Sequence, residues 1–255
     1  MTAKQIKNFL KEKPGYLKEG SKRLVKHLNK KGFYPQLSAC KEVLKELRRE
    51  EYKSMLENSN SKPKTKILVY DIETTLNRTY TFWSGKKGYI NGNDLIDESK
   101  MISIAWKWLG DKDITSMPWD NKLKCDEELT RVFLEEYNKA DAVVTINGNS
   151  FDNKWINTRA AKHRLFVNTY VKSIDMYRMS KKYLKLPSHS MKYIAKFFGL
   201  SLKKGHAGLQ MWKDIQWGTP KESALALEDM LDYNIGDIQA TEDIYYRLLE
   251  FTTPQ

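Results

Sequence analysis

The spacing of apolar residues divides the chain into two regions. In residues 1–57 the apolar positions recur at intervals of three and four, which is typical of amphipathic helices. After residue 66, short apolar runs alternate with amphipathic stretches, which is typical of strands followed by helices. The segment NSNSKPKTK at 58–66 is polar and contains a proline, as linkers do. We therefore predict two domains, at 1–57 and 67–255, joined by a linker at 58–66.

Three short helices account for the apolar spacing of the first region. The first helix is expected to end near Pro14 and Gly15, because proline and glycine interrupt helices. Ser21 and Ser38 can cap the starts of the second and third helices, and the third is the longest. The apolar residues expected to face the core of this region are Ile6, Phe9, Leu10, Leu24, Val25, Leu28, Val43, Leu44 and Leu47.

The third predicted helix carries a stripe of basic residues. Lys41, Lys45 and Arg48 recur at i, i+4 and i+7, so they share one face of the helix. Three short helices of which the last is basic resemble a helix-turn-helix domain, and this resemblance implies that the stripe contacts nucleic acid. Many small helical modules that bind proteins have the same pattern, so both alternatives stay open.

The second region alternates strands and helices, which favours an α/β fold with a mixed sheet flanked by helices. The predicted strands are ILVYDIE (67–73), MISIAWKWL (101–109), DITSMPW (113–119) and AVVTIN (142–147). The predicted helices are DEELTRVFLEEYNKA (126–140), FDNKWINTRAAKHR (151–164), 190–198 and 221–250. A polar insertion that is rich in aromatic residues, at 77–100, has no assigned element.

Composition narrows the class of protein. With 255 residues, 40% of them hydrophobic and 30% charged, the chain can form one sizeable packed domain and a small one. No apolar run approaches the ~18 residues of a membrane span, and MTAKQIKNFL lacks a signal-peptide core. Cys40 and Cys125 have no metal-ligand spacing. We expect no membrane partner and a reducing compartment: the cytoplasm, the nucleoid, or the host cytoplasm if the protein is viral.

Positive charge is concentrated at the start of the chain. The formal net charge is +12, and residues 1–57 hold 15 Lys/Arg against 7 Asp/Glu. The linker adds three lysines and no acid, whereas residues 67–255 hold 26 basic and 25 acidic residues. Such asymmetry indicates a polyanionic partner, most often nucleic acid. The alternative is a highly charged helical surface that is only solvated.

Two carboxylates at the end of the first predicted strand raise a question of charge. Asp71 and Glu73 are two residues apart, so they lie on one face of the strand. Like charges this close repel, and an unpaired buried charge is costly. We therefore expect a positive partner between them, either a Lys or Arg side chain or a metal ion.

Two further motifs place acidic residues at comparable positions. NGNSFD leads from the end of a predicted strand into a helix, which puts Asp152 in the first turn of that helix. In YNIGD, Tyr233 and Asp237 are four residues apart and share a helix face. Alone, Asp152 would be an acid favoured by the helix dipole, and the Tyr–Asp pair would be an ordinary surface pair.

The order DIE, NGNSFD and YNIGD resembles the three motifs of the DEDD superfamily of 3′–5′ exonucleases, in the subclass with a tyrosine four residues before the last aspartate. The middle motif is most similar to the exonuclease domain of family B DNA polymerases, because Trp155, Arg159 and Ala160 follow Asp152 at the spacing of that family. The resemblance covers about residues 67–250. Asp175 is another acid after an apolar residue, and we interpret it as structural.

The resemblance implies a ribonuclease-H-like sheet on which the four acids meet. Hard carboxylate oxygens suit Mg²⁺ or Mn²⁺, and two such ions about 4 Å apart can activate a water and stabilise the leaving oxygen at a phosphodiester. We assign Asp71, Glu73 and Asp237 to the ion that holds the water. Asp71 should bridge to the second ion, which Asp152 supports through water. Tyr233, with a pKa near 10, is neutral at pH 7 and should orient the water.

The resemblance also implies contacts to the substrate. Asn147 and Phe151 should contact the terminal nucleotide, Phe151 by stacking, although Phe151 could equally anchor its helix in the core. Lysines after the middle motif can follow the phosphates of a single strand or be ordinary solvated surface: Lys181, Lys182, Lys185, Lys203 and Lys204.

We therefore predict a stand-alone exonuclease that acts on single-stranded DNA ends, because the chain ends soon after the third motif. A separate polymerase or replication protein is a further candidate partner. Hydrolysis of RNA stays open, since no residue in the sequence identifies a 2′-hydroxyl. The other alternative is an inactive nucleic-acid-binding protein, but all four acids and Tyr233 are present.

Overall fold

The protein is described by a computed structural model, which covers residues 1–13, 16, 21–57, 65–80, 92–200 and 208–252. These residues belong to two compact units, Met1–Lys64 and Thr65–Gln255. Most of the predicted linker, residues 58–64, lies outside the described residues.

The first unit contains three helices, α1 (Ala3–Glu12), α2 (Ser21–Lys30) and α3 (Leu37–Glu57). A capping box between Thr2 and Gln5 starts α1. Helix α3 begins one residue before Ser38, so Ser38 lies inside its first turn rather than at the predicted cap. The side chains that form the core of this unit are Ile6, Leu10, Leu24, Leu28, Cys40, Val43, Leu44 and Leu47, with Phe9 and Val25 at its edge.

The basic stripe predicted on α3 is described in part. Lys41 is exposed and Lys45 is half-buried, while the side chain of Arg48 lies outside the described residues. On another part of α3, Glu46 and Glu50 both pair with Lys7 of α1, at 2.8 and 2.9 Å. A nucleic-acid contact by the stripe stays a prediction.

The second unit is built on a five-stranded mixed sheet, and this confirms the predicted fold class. Its strands are β1 (Ile67–Thr74), β2 (Met101–Trp108), β3 (Thr115–Pro118), β4 (Ala142–Thr145) and β5 (Lys172–Asp175). Their order is β3-β2-β1-β4-β5. Strand β1 is central, antiparallel to β2 and parallel to β4, while β5 pairs in parallel with β4. The first motif therefore lies in the middle of the sheet.

Helices cover both faces of this sheet. They are α4 (Glu127–Tyr137), α5 (Asp152–His163), α6 (Met176–Tyr183), α7 (Met191–Phe197), α8 (Leu209–Trp217) and α9 (Pro220–Leu249). The sequence predicted α4, α5, α7 and α9 but not α6, α8 or β5. Strand β5, KSID, is only four residues long and exposes its first two side chains, so it has no apolar run that would indicate a strand.

The two faces of the sheet have different interiors. On one face, Tyr70 of β1 packs against Phe133 of α4, with 4.9 Å between ring centroids. On the other face, Lys107 of β2 forms a buried ion pair with Glu242 of α9, at 2.9 Å. Because residues paired across an antiparallel ladder share a face and Lys107 pairs with Val69, α9 covers the face that carries Val69, Asp71 and Glu73.

The insertion at 77–100 is described only at its two ends, since residues 81–91 lie outside the described part. Thr79 and Leu95 form an antiparallel bridge, and Arg78 pairs with Asp97 at 3.0 Å. A turn of 3₁₀ helix covers Gly92–Asp94. None of the helices described is long and apolar enough to cross a membrane.

Candidate metal and catalytic site

Strand β1 places the two acids of the first motif together. Asp71 pairs with Ala105 and Glu73 with Ser103 on β2, so both carboxylates project from the face that α9 covers. The register shifts between Glu73 and Thr74, where the regular ladder is interrupted. Such irregularities often redirect a side chain at the end of a strand.

The second motif forms a tight loop between β4 and α5. Asn147 has φ 65°, a left-handed conformation that asparagine tolerates better than most residues. Gly148 lies against β4, since a Cβ at this position would be 1.9 Å from Oγ1 of Thr145. The carboxylate of Asp175 accepts hydrogen bonds from the backbone N–H groups of Asn147 and Asn149, at 2.9 and 3.2 Å. Asp175 thus holds the loop, in agreement with its predicted structural role.

This loop delivers Asp152 to β1. Asp152 is the first residue of α5 and is 3% exposed. Its Oδ1 atom accepts a hydrogen bond from the backbone N–H of Ile72, at 3.3 Å. Ile72 lies between Asp71 and Glu73 in the chain, so this contact joins the second motif directly to the first.

Helix α9 supplies the third motif. A capping box between Thr219 and Glu222, with Pro220 at the first helical position, starts this 30-residue helix. Between four and five turns into the helix, Asp237 meets the acids of β1. One carboxylate oxygen from each of Asp71, Glu73 and Asp237 can be chosen so that all three lie within 4.8 Å of one another, and all three residues are half-buried.

Crowding and burial raise the pKa values of these acids. Burial, followed by the charges of Asp237 and Asp152, raises the pKa of Glu73 to about 8. Burial raises the pKa of Asp237 to about 6, against the opposing effect of the Tyr233 hydroxyl. Loss of solvent, followed by the charges of Asp152, Glu73 and Asp237, raises the pKa of Asp71 well above its usual range.

Opposing effects act on the pKa of Asp152. Burial raises its pKa to about 7, but hydrogen bonds from backbone N–H groups, including that of Ile72, favour its charged form. The nearby charge of Asp175 acts in the opposite direction.

Tyr233 stands beside the acidic cluster. Burial, followed by the charges of Asp237 and Glu73, raises the pKa of its hydroxyl above the ordinary tyrosine value. The hydroxyl therefore keeps its proton at neutral pH, and its side-chain interaction with Asp237 directs it toward the cluster. A protonated donor at this position can orient a water or a phosphate oxygen.

The acidic cluster fits a cation. Among the described residues, the ion pairs involve none of Asp71, Glu73 and Asp237, and every charged neighbour that perturbs Asp71 or Glu73 is a carboxylate. This favours the metal over the Lys or Arg partner that the sequence left open. Oxygen-only ligands with this separation suit Mg²⁺ or Mn²⁺.

The predicted substrate contacts lie next to Asp152. Phe151, directly before α5, is 39% exposed and packs edge-on against Trp155, with 6.3 Å between centroids. Its ring is therefore at the surface, and the alternative of a core anchor does not match this exposure. Asn147 is also exposed. Contact of either side chain with a nucleotide stays a prediction. Lys181, Lys182 and Lys185 are exposed, whereas Lys203 and Lys204 lie outside the described residues.

Arg159, which the family resemblance singled out, has a structural position. It is 2% exposed, and its guanidinium pairs with the fully buried Asp126, at 2.7 Å between Nε and Oδ2. His163 and the backbone N–H of Met101 also contact Asp126, both at 2.8 Å. Burial alone would raise the pKa of Asp126, but these partners outweigh it and lower the pKa. The network joins α5 to the start of β2.

Sequence reasoning missed the helix that holds the end of β1. In α8, the side chain of Gln216 accepts from the backbone N–H of Leu76 at 2.7 Å and donates to the Leu76 carbonyl at 3.2 Å. Trp212 Nε1 donates to the carbonyl of Thr74 at 3.0 Å. The only sequence signal for this role is the i, i+4 spacing of Trp212 and Gln216, which is common in any helix.

Comparisons with known proteins place the chain in a family. A family model described as RNase_H superfamily matches residues 97–249, which is more than half of the chain. Among solved structures, the family B DNA polymerase from the hyperthermophilic archaeon Pyrobaculum calidifontis is similar, with a TM-score of 0.54 and 17% sequence identity. The match covers 73% of this chain and 25% of that chain. A search of curated proteins gave no match.

The matched polymerase shares the fold at this level of identity, and the resemblance predicted from the three motifs is confirmed to that extent. The match to the family model begins after β1 and does not include the first motif. The structure relates this motif to the matched region, because the acids of β1 lie beside Asp237, which is inside that region. The chain belongs to the RNase H superfamily.

Proposed function

We propose that the chain is a metal-dependent 3′–5′ exonuclease that removes nucleoside 5′-monophosphates from the ends of single-stranded DNA. The observation that carries the proposal is the meeting of Asp71, Glu73 and Asp237 within 4.8 Å. Asp152 is tied to the same strand through Ile72. The fold of the RNase H superfamily supports a nuclease in general, and the three-motif order narrows it to this reaction.

The carboxylates would hold Mg²⁺ or Mn²⁺, two ions per site. We assign one ion to Asp71, Glu73 and Asp237, and the second to Asp71 with support from Asp152. When bound, the ions supply Lewis acidity toward a water and toward the phosphate, and they offset the repulsion among the acids. Without a cation, burial raises the pKa values of all four acids, and the charges of neighbouring carboxylates raise those of Asp71, Glu73 and Asp152 further.

The chain's own groups orient the reaction. The Tyr233 hydroxyl, which keeps its proton, positions the attacking water beside Asp237. The water oxygen bonds to phosphorus, and the bond from phosphorus to the 3′ oxygen of the preceding nucleotide breaks. The attacking water releases one proton, and the leaving 3′ oxygen takes up one proton and becomes the new 3′-hydroxyl. Phe151 and Asn147 would hold the terminal nucleotide, Phe151 by stacking on its base.

The first unit would add affinity rather than chemistry. Its residues 1–57 hold 15 of the basic residues and none of the acids assigned to the metals, so we assign it nucleic-acid binding through α3. A separate polymerase or replication protein is a further candidate partner of the whole chain.

A time course with 5′-labelled DNA and RNA strands of the same sequence tests this function, with Mg²⁺, Mn²⁺ or EDTA. We expect a ladder that shortens from the 3′ end of DNA, and EDTA should stop it. Asp237→Asn should abolish cleavage, whereas Asp229→Asn, at an exposed position of the same helix, should not. Faster shortening of RNA would make the protein an exoribonuclease. Intact strands with both metals, or cuts inside the strand, would overturn the proposal.

A further inference from the structure

The stretch that contains α6 and α7 is strongly basic. Residues 176–213 contain nine Lys/Arg and no Asp or Glu. The other residues of 67–255 contain 17 Lys/Arg and 25 Asp/Glu, which leaves them with a net charge of −8. The net charge of residues 67–255 is therefore close to zero only because a basic stretch offsets the acidic charge of the other residues.

Basic side chains of α6, and Lys185 just after its end, face solvent together with aromatic rings. Lys181, Lys182 and Lys185 are exposed. The Nζ atom of Lys181 lies 5.1 Å from the ring centroid of Tyr177, and that of Lys182 lies 5.0 Å from the centroid of Tyr183. Tyr183 is itself 41% exposed. Cations beside exposed rings are the combination with which proteins bind single strands.

Helix α6 begins at the candidate active site. Asp175 caps α6, and the same carboxylate holds the backbone N–H groups of Asn147 and Asn149 in the loop that leads to Asp152. With a rise of about 1.5 Å per residue, Lys181 lies about 9 Å along the helix from Asp175. The lysines thus lie on, or just after, a helix whose N-cap residue also holds the loop that leads to Asp152.

Stabilisation of the helix explains only part of this charge. Lys181 and Lys182 lie in the last turn of α6, where cations interact favourably with the helix dipole. Lys185 lies two residues after the end of the helix, where the effect of the dipole is weaker. The dipole of one eight-residue helix also does not explain why residues 176–213 contain no Asp or Glu.

We propose that the single strand upstream of the reacting 3′ end runs along α6, with its phosphates at Lys181, Lys182 and Lys185 and one base on Tyr183. The position of the 3′ end rests on the proposed function. The acidic remainder of the unit repels the strand, so the basic stretch sets the direction in which the substrate leaves the site.

Binding of single strands measured against salt tests this path. The triple variant Lys181→Gln, Lys182→Gln, Lys185→Gln is compared with Lys112→Gln, Lys122→Gln, Lys221→Gln, which removes the same charge from exposed positions elsewhere in the unit. Labelled DNA and RNA strands of about 15 nucleotides, within the usual site size, are titrated in EDTA so that metal-dependent cleavage does not consume them. Circular dichroism and the melting temperature verify folding.

The α6 variant should flatten the plot of log affinity against log salt by about 2, or about 0.7 per phosphate contact, and weaken binding by about 100-fold at 0.1 M salt. The control variant should change the slope much less. Tyr183→Ala should weaken binding by about 5- to 100-fold without changing the slope, because stacking is not ionic.

Equal slopes in the α6 and control variants would overturn the path, as would failure of the wild type to bind single strands. These outcomes are independent of the proposed reaction. Cleavage in Mg²⁺ with equal slopes would keep the exonuclease and remove the path. A flattened slope without cleavage in either metal would keep the path and remove the exonuclease.

Discussion

Tyr233 contributes one hydroxyl group to the candidate site, so its role can be separated from those of the acids. Tyr233→Phe should leave metal binding and strand affinity nearly unchanged, because the phenyl ring and all four carboxylates remain. The single-turnover rate of cleavage should fall by ~10–1000-fold, the range for losing one positioning contact in the transition state. Tyr80→Phe, at a position that is 73% exposed, is the control. An unchanged rate in Tyr233→Phe would remove the water-orienting role.

The four acids also predict how stability depends on pH. Glu73, Asp152 and Asp237 have pKa values of about 8, 7 and 6 in the folded protein, against about 4 when unfolded. Between pH 4 and 8 the folded state therefore binds more protons, and the free energy of unfolding of the metal-free protein falls as pH rises. The melting temperature in EDTA should be higher near about pH 5 than near about pH 8.5, by about 2–4 °C for each kcal/mol.

Metal should reverse this trend. Mg²⁺ or Mn²⁺ binds the folded state and should raise the melting temperature, more at the higher pH where the acids are charged. Asp71→Asn should weaken both the pH dependence in EDTA and the gain from metal. A melting temperature that saturating metal does not change at the higher pH would contradict the site.

At the scale of elements, α8 determines where β1 ends. Gln216 and Trp212 hold the backbone of Thr74 and Leu76, directly after Glu73. Gln216→Ala leaves the N–H and carbonyl of Leu76 without their partners, and we expect a loss of about 1–3 kcal/mol in the free energy of unfolding. Because the end of β1 then moves more freely, cleavage and the stabilisation by Mg²⁺ should both decrease.

The same helix offers a matched control for this effect. Gln210 is exposed, and among the described residues its amide bonds only within α8, to Asp214 at 2.7 Å. Gln210→Ala should therefore change neither cleavage nor the gain from metal. If both variants behave alike, α8 serves only to pack against α9 and does not position Glu73.

At the scale of the whole molecule, we assign nucleic-acid affinity to the basic first unit and cleavage to the acids of the second unit. The variant Lys41→Ala, Lys45→Ala, Arg48→Ala leaves the metal site untouched, so cleavage of a short single strand at saturating concentration should be unchanged. Binding to duplex DNA should show a salt slope flatter by about 0.9 for each lost phosphate contact. Titration of both proteins from low to moderate salt measures this slope.

The control for this prediction is the loss of equal charge from the same unit. Lys4, Lys11 and Lys22 are exposed residues of α1 and α2. Their replacement by Ala should flatten the slope less than the α3 variant does. Equal slopes for wild type and the α3 variant would indicate that the first unit binds a protein or only packs on the rest of the chain.

Local patterns in the sequence determined much of the architecture. The alternation of apolar runs located β1 to β4 and four of the helices, and the three motifs identified the residues that the fold brings together. These inferences succeeded because periodicity and turn residues act within one element, and because Asp71 and Glu73 share a face of a single strand. Strand β5 has four residues and helices α6 and α8 have eight and nine, so each is too short for its apolar spacing to repeat clearly.

Contacts between distant elements were decided only by the tertiary structure. The Ile72 N–H reaches Asp152 across 80 residues, and Gln216 reaches Leu76 across 140. Arg159 pairs with Asp126 in the interior rather than contacting the acidic cluster. The chemistry of these side chains allows many partners, and which partner each one meets depends on how the helices pack against the sheet. The sequence by itself therefore determined the elements and the acids of the site, and packing decided which groups hold those acids in place.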